Sequence, residues 1–165
     1  MKIFSMVIAA VVAALMLYMA YFNPGGNEDK RREAAIIKAV LPDLTGKMRA
    51  LEQWRGKVLV VNFWASWCPP CRAEMPGFID LQKKYQGSGL TFVGIAVDSP
   101  DKAAAFAKKI GVNYPVLVDQ DSSLLNLSGL PYTVVFDRKG EVASTHVGAW
   151  PEEELDGIVG KLLRN

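Results

Sequence analysis

The feature that most narrows what this chain can fold into is an apolar run that ends at a pair of cysteines. Val58-Leu59-Val60-Val61-Asn62-Phe63-Trp64-Ala65 is apolar throughout except for Asn62. Such a run marks a strand buried on both faces. It leads through Ser66 into Trp67-Cys68-Pro69-Pro70-Cys71-Arg72, after which Phe78, Ile79, Leu81, Gln82 and Tyr85 recur near a helical period. A dithiol therefore stands where a buried strand feeds a helix.

That position has chemical consequences. The first turn of a helix carries N–H groups without internal partners and the positive end of the helix dipole. A sulfur placed there ionises more easily than a free thiol, whose pKa is about 8.5, and the thiolate is the nucleophile. Proline is tolerated in a first helical turn, so Pro69 and Pro70 stiffen the turn without breaking the helix. They also remove two N–H donors, which tempers the pKa drop. The two sulfurs are held close enough for Cys71 to attack a mixed disulfide formed at Cys68. The other readings of this spacing are weaker. Structural zinc takes four ligands, and the chain has two Cys and one His. A purely structural disulfide across a two-residue loop constrains the unfolded chain little.

The chain has 165 residues and a formal charge of +2, with both signs interspersed. This is one domain plus an appendage, with no surface suited to nucleic acid. The appendage is N-terminal. Ile3 to Phe22 carries no charge, and twenty helical residues rise about 30 Å, one hydrocarbon core. No A-x-A-like cleavage site ends it, since Tyr18-Met19-Ala20 has a bulky outer residue. We expect an uncleaved transmembrane signal-anchor over residues 1–22, with a cleaved signal peptide or a buried core helix as the alternatives. Asn23-Pro24-Gly25-Gly26-Asn27 is a breaker cluster, so residues 23–35 read as a linker and 36–165 as the globular domain. Lys30, Arg31 and Arg32 against Lys2 would put the C-terminal side in the cytoplasm on a literal charge count. Long following domains translocate largely regardless of charge, and a Lys-plus-apolar start resembles an export signal. The expected arrangement is a single N-terminal pass through the cytoplasmic membrane with the domain outside, in the periplasm.

Along the domain, Ile36–Val40 and Met48–Ala50 read as short strands, Leu51–Trp54 as a helical turn, and Val58–Ala65 as the first strong strand. A helix from Pro69 to about Gln86, kinked at Pro76, is followed by a strand at Thr91–Val97 and a helix at Asp101–Ile110. A strand at Pro115–Val118 and a short helix at Ser122–Leu127 come next. Strands at Thr133–Phe136 and Glu141–His146 and a last helix from Pro151 to Leu163 complete the order. The pattern argues a mixed α/β sheet covered by helices on both faces.

At this point the chain resembles the thioredoxin superfamily, and more closely its TlpA/ResA-like membrane-anchored thiol–disulfide oxidoreductases. The matching text is Leu41-Pro42-Asp43-Leu44 with Gly46-Lys47, Arg55 to Trp67, Cys68-Pro69-Pro70-Cys71-Arg72, Glu74-Met75-Pro76, Tyr114-Pro115-Val116 with Asp119, and Gly129-Leu130-Pro131 with Thr133. The resemblance implies a thioredoxin-like fold in which Cys68 attacks and Cys71 resolves. It makes Pro131 the family's cis-proline, with the Leu130 backbone able to pair with an extended substrate segment. Trp67, Pro69 and Pro70 would line the substrate-binding rim. Glu74, one turn beyond Cys71, would exchange the Cys71 proton; otherwise it is a solvated surface carboxylate. Two departures stand out. Asn62 replaces the buried aspartate usual in thioredoxin and cannot act as a base, and the stretch Asp121–Pro131 looks about a turn short. His146 matches no catalytic position and reads as an ordinary strand histidine, while Trp64 reads as core packing.

The resemblance further implies protein disulfide substrates such as apocytochrome c or a copper-site protein, an electron donor in the membrane of the DsbD/CcdA type, no cofactor, and a monomer. A dithiol oxidase and a Cu(I)-binding metallochaperone-type module are the alternatives; two thiolates can hold Cu(I), but no additional Met or His stands near Cys68.

Overall fold

The computed structural model describes residues 2–21, 31, 33–124 and 129–164. The chain divides into two units, one up to residue 32 and one from Glu33 onward. In the first, α1 (Lys2–Tyr21) is an α-helix with Leu15, Met16, Leu17 and Met19 exposed. Among the described residues no helix is long and apolar enough to cross a membrane. The expected anchor at 1–22 and linker at 23–35 fall in part on positions outside the described ones.

The second unit begins three residues ahead of the expected boundary at 36. Residues 33–36 are helical rather than extended, and Ile36 and Ile37 are buried. Tyr132 donates to Glu33 Oε1 at 3.3 Å. The first strand, β1 (Val40–Pro42), pairs antiparallel with β2 (Met48–Ala50). Asp43 closes the turn between them by accepting from the Thr45 hydroxyl, from Arg49 and from the Thr45 and Lys47 N–H groups, and these donors, the hydroxyl foremost, hold its carboxyl well below the usual carboxylate range. A 3-10 turn at Leu51–Trp54 follows.

The main sheet has five strands in the order β5-β4-β3-β6-β7. β3 (Val58–Trp64) is central, parallel to β4 (Leu90–Ala96) on one side and antiparallel to β6 (Tyr132–Phe136) on the other. β5 (Val116–Val118) extends the parallel half and β7 (Val142–Val147) the antiparallel half. The three long helices are α2 (Pro69–Lys84), α3 (Pro100–Ile110) and α4 (Glu152–Arg164).

Alternate residues of the central strands face opposite sides of the sheet and enter three apolar clusters. Val58 and Val60 pack with Phe78 and Leu81 of α2 and with Leu155 and Val159 of α4. Trp64 packs with Ala103 and Ala107 of α3, its ring 5.6 Å from that of Phe106. Leu59, Val61 and Phe63 face the opposite way, onto Ile36, Ile37, Leu41 and Leu51. Among the described residues α2, α3 and α4 share one face, and the other is covered by the helical residues 33–36, the β1–β2 hairpin and the 3-10 turn. The reason is topological: β3-α2-β4 and β4-α3-β5 are successive parallel crossovers moving in one direction, and right-handed crossovers of that kind stay on one side.

Local chemistry agrees with the helix ends. Pro100 opens α3, and Gly111 closes it in the left-handed region at φ 73°. α2 runs on through Pro76. The expected short helix at Ser122–Leu127 falls partly on residues 125–128, outside the described ones; Ser123 and Leu124 instead donate backbone N–H groups to the Asp119 carboxylate.

Gly94 sits on the α2 face with no room for a side chain. A Cβ there would lie 2.7 Å from Trp64 Nε1 and 3.4 Å from the Tyr114 ring. Strand propensity alone favours alanine over glycine, yet Gly94→Ala is expected to lower stability by about 1–3 kcal/mol, the usual effect of overpacking a core. Urea denaturation of the disulfide-bonded protein checks this; unchanged stability would mean that Trp64 moves aside freely.

Candidate active site

β3 is hydrogen-bonded on both sides, so its C-terminal end is held rigidly, and the chain turns there into α2. The Cys68 N–H bonds to Ala65 O at 3.1 Å, and Arg72 N–H to Cys68 O at 3.2 Å. Cys68 is the N-cap of α2, with Pro69 and Pro70 in the first turn. The donor that the prolines leave in place is used: Cys71 N–H points at Cys68 Sγ at 3.3 Å. Cys68 and Cys71 form a disulfide with Cα atoms 5.4 Å apart. Once the bond is reduced, the N–H at Cys71 and the helix dipole favour the thiolate at Cys68.

The turn ahead of Cys68 is pinned by a residue that motif reading passed over. Asp98, buried at the end of β4, accepts from the Ser66 N–H at 3.0 Å and from its hydroxyl, while its other oxygen takes the Ser99 N–H at 2.9 Å. An aspartate just past a parallel strand, at the sheet end that carries the dithiol, was the available signal. Trp67, held between Ser66 and Cys68, is 64% exposed. Trp64 is core, as expected.

The Leu130–Pro131 peptide bond is cis. Tyr132 pairs with Phe63, which brings Pro131 to the end of the sheet where β3 gives way to the Cys68 turn. Leu130 packs against the apolar cluster that contains both cysteines. Sequence-distant pieces thus converge on the disulfide. The two cysteines differ little in exposure while bonded, Cys68 at 3% and Cys71 at 0%.

Glu74 is not the solvated surface carboxylate that helical spacing allowed. It is buried. Its Oε1 accepts from Asn62 Nδ2 at 2.8 Å, and its Oε2 accepts from the Trp150 N–H at 2.9 Å. Asn62 Nδ2 also donates to Thr133 Oγ1 at 2.9 Å. Burial pushes the Glu74 carboxyl up to about 7, against the opposing pull of the Trp150 and Asn62 donors. Neither Trp150 nor Thr133 could be joined to Glu74 by sequence spacing, because both contacts are long-range. Burial, and then the nearby Glu74 charge, hold the Tyr114 phenol above its ordinary range. His146 lies on β7, opposite Thr133, and stacks on the Trp150 ring at 4.8 Å. Among the described residues no group of three or more His, Cys, Asp or Glu side chains could hold a metal ion.

A cysteine pair capping a helix, beside a cis-proline and at the end of a central strand, is the reactive centre of a thiol–disulfide oxidoreductase on a thioredoxin-like fold. The chain belongs to the AhpC/TSA family, whose model it matches over residues 33–145. It is similar to the thiol-disulfide oxidoreductase ResA of Bacillus thuringiensis, 28% identical over 98% of this chain and 94% of that protein. ResA of Geobacillus thermodenitrificans is 34% identical over 70% of this chain and 69% of its own length. Among solved structures, a thioredoxin-family thiol:disulfide interchange protein from Chlorobium tepidum matches with a TM-score of 0.68 and 32% identity, over 76% of this chain and 92% of that one. A secreted Mycobacterium tuberculosis disulfide oxidoreductase homologous to Escherichia coli DsbE matches with a TM-score of 0.69 and 27% identity, over 78% and 98%.

The raised Glu74 carboxyl has a sign that stability can test. Between its ordinary value of 4.5 and about 7, the folded protein keeps a proton that the unfolded chain has shed. Stability is therefore expected to fall as pH rises through that window, by about 3 kcal/mol in all. Denaturation of the oxidised protein across the window should show this slope, and Glu74→Gln should flatten it.

Proposed function

We propose that this chain is a membrane-tethered disulfide reductase that works on proteins outside the cytoplasmic membrane. The observation that carries the proposal is the Cys68 sulfur at the N-cap of α2, with the Cys71 N–H on it and a buried, proton-retaining carboxyl one turn further along. In the forward direction the Cys68 thiolate attacks one sulfur of the substrate disulfide and expels the other as a thiolate. Cys71, deprotonated, then attacks the Cys68 sulfur, which forms the Cys68–Cys71 bond and frees the second substrate thiol. Two electrons pass from enzyme to substrate. Glu74 is the group that takes the Cys71 proton, since a carboxyl near 7 exchanges protons readily at neutral pH. Trp67, Pro69, Pro70, Leu130 and Pro131 form the rim against which the substrate segment lies.

The tether in this reading is the N-terminal segment, uncharged from Ile3 to Phe22 and followed in sequence by Asn23-Pro24-Gly25-Gly26-Asn27. The near full-length match to ResA supports including this segment in the working protein. An extracytoplasmic compartment is oxidising, so net reduction needs an electron source. A membrane donor of the DsbD/CcdA type supplies it, and apocytochrome c or a copper-site protein is the substrate class.

Three measurements test the reading. Purified protein should reduce insulin disulfides, and Cys68→Ser should abolish this. Cys71→Ser should accumulate mixed disulfides through Cys68; trapping through the other cysteine in the reciprocal variant alone would reverse the roles. In intact spheroplasts a membrane-impermeant thiol reagent should label the reduced cysteines of the full-length protein; labelling only after lysis would place the domain in the cytoplasm.

A further inference from the structure

A row of paired residues crosses the sheet beneath α2 and α4: Gly94, Asn62, Thr133 and His146, one on each of β4, β3, β6 and β7. We infer that the carboxamide of Asn62 is a hydrogen-bond switch that turns over when Glu74 gains or loses its proton, and so carries the state of Glu74 to Thr133. The inference rests on Glu74 as the proton-carrying group of this site.

As the residues stand, Asn62 spends its nitrogen twice, on Glu74 Oε1 at 2.8 Å and on Thr133 Oγ1 at 2.9 Å. Its oxygen is buried and has no partner. Glu74 Oε2 takes the Trp150 N–H. Both carboxyl oxygens are therefore acceptors, which is the set required by an ionised Glu74. A proton placed on Glu74 along either bond meets a donor. The Trp150 donor is backbone and cannot reverse, but the Asn62 donor can. A half-turn of the amide exchanges its oxygen and nitrogen with little change of shape. Asn62 Oδ1 would then accept from Glu74 Oε1–H and from Thr133 Oγ1–H, because a hydroxyl serves in either sense. Two hydrogen bonds exist before the turn and two after it. One end of the amide lacks a partner in both orientations: the carbonyl oxygen in one, the two N–H groups of the nitrogen in the other. Protonation of Glu74 is what chooses between them. The proposal also accounts for a polar end left unpaired in the core, a feature that is rare and calls for a reason.

The consequence lies in β6. Thr133 is two residues beyond the cis-proline, so its hydroxyl would turn from acceptor to donor beside the segment that meets the substrate.

Other ionisable groups face this cluster. Cys71 precedes Glu74 on α2. Tyr114, with its hydroxyl buried and unpartnered, packs beside Gly94. His146 stacks on Trp150. Glu152 of α4 shares with Glu74 a cleft of about 280 Å3 lined also by Gly77, Ala149 and Pro151. That cleft offers a competing route, in which Glu74 takes its proton on the open side and Asn62 stays still.

NMR of the full-length, isotope-labelled, oxidised protein in detergent micelles separates the two. The Glu74 carboxyl carbon and the nuclear Overhauser contacts from the Asn62 amide hydrogens to Thr133 are followed through one pH titration. The contacts should be present when Glu74 is ionised, lost when it is protonated, and should change at the midpoint of the Glu74 carbon. In Glu74→Gln the change should vanish. Contacts that persist through the Glu74 midpoint would overturn the switch and leave Glu74 as the proton carrier. A Glu74 carbon that does not titrate would overturn both. If Glu74→Gln does not fold, the parent titration decides.

Discussion

The rest of the structure depends on one mechanical fact: β3 is paired with β4 over Val58–Trp64 and with β6 over Leu59–Phe63, and a short turn leads from it into α2. A strand so held cannot drift, so the first turn of α2 has a defined position. The unpaired N–H groups and dipole of that turn then act on whatever side chain sits at the N-cap. Here it is Cys68. The prolines that follow leave a single N–H within reach of the sulfur, that of Cys71, and it is aimed there. Asp98 secures the approach from β4 by tying down Ser66. The reactivity of a small, soft atom is thus governed by the sheet that positions its helix.

A second layer of control lies under the helix. Glu74 is close to the dithiol in sequence but is held by groups remote from it, Asn62 on β3 and the backbone of Trp150 between β7 and α4. Two donors alone would lower its pKa, yet burial outweighs them. The outcome is a carboxyl that remains protonated to near neutrality. The aspartate usual in thioredoxin occupies the sheet position that is Asn62 here. The acid has in effect moved from strand to helix, and the strand supplies the hydrogen-bond partner. Gly94 opposite Asn62 carries no side chain, and Trp64 and Tyr114 fill the space it leaves.

The family match and the relatives agree with the chemistry that the residues carry. β4-α3-β5 adds a parallel unit at one edge, and among the described residues the opposite face is closed by short pieces. Those pieces include residues 33–37, ahead of where hydrophobic patterning put the start of the domain. Ile36 and Ile37 read as a strand because they are β-branched and adjacent. In the fold they form a helical turn and its exit, because burial against Leu59, Val61 and Phe63 rewards apolar surface in either conformation.

What the sequence determined by itself was the local chemistry. The apolar run of β3, the Cys68–Cys71 spacing, Pro69 and Pro70 as a helix start, and Gly111 as a helix stop all act through neighbours a few residues away, so pattern and spacing carry them. The reactive pair and the strand-to-helix frame around it were legible for that reason. The cis bond at Pro131 was legible only through resemblance, since nothing local distinguishes it from an ordinary turn proline. What only the tertiary structure decided was the environment of Glu74. Helical spacing placed it one turn beyond Cys71 but could not say whether it met water or the sheet. Burial, the Trp150 N–H and the Asn62–Thr133 pair come from segments up to 76 residues away. A carboxyl's pKa depends on desolvation and on partners in space rather than in sequence, so the acid–base character of this site exists only once the chain has folded.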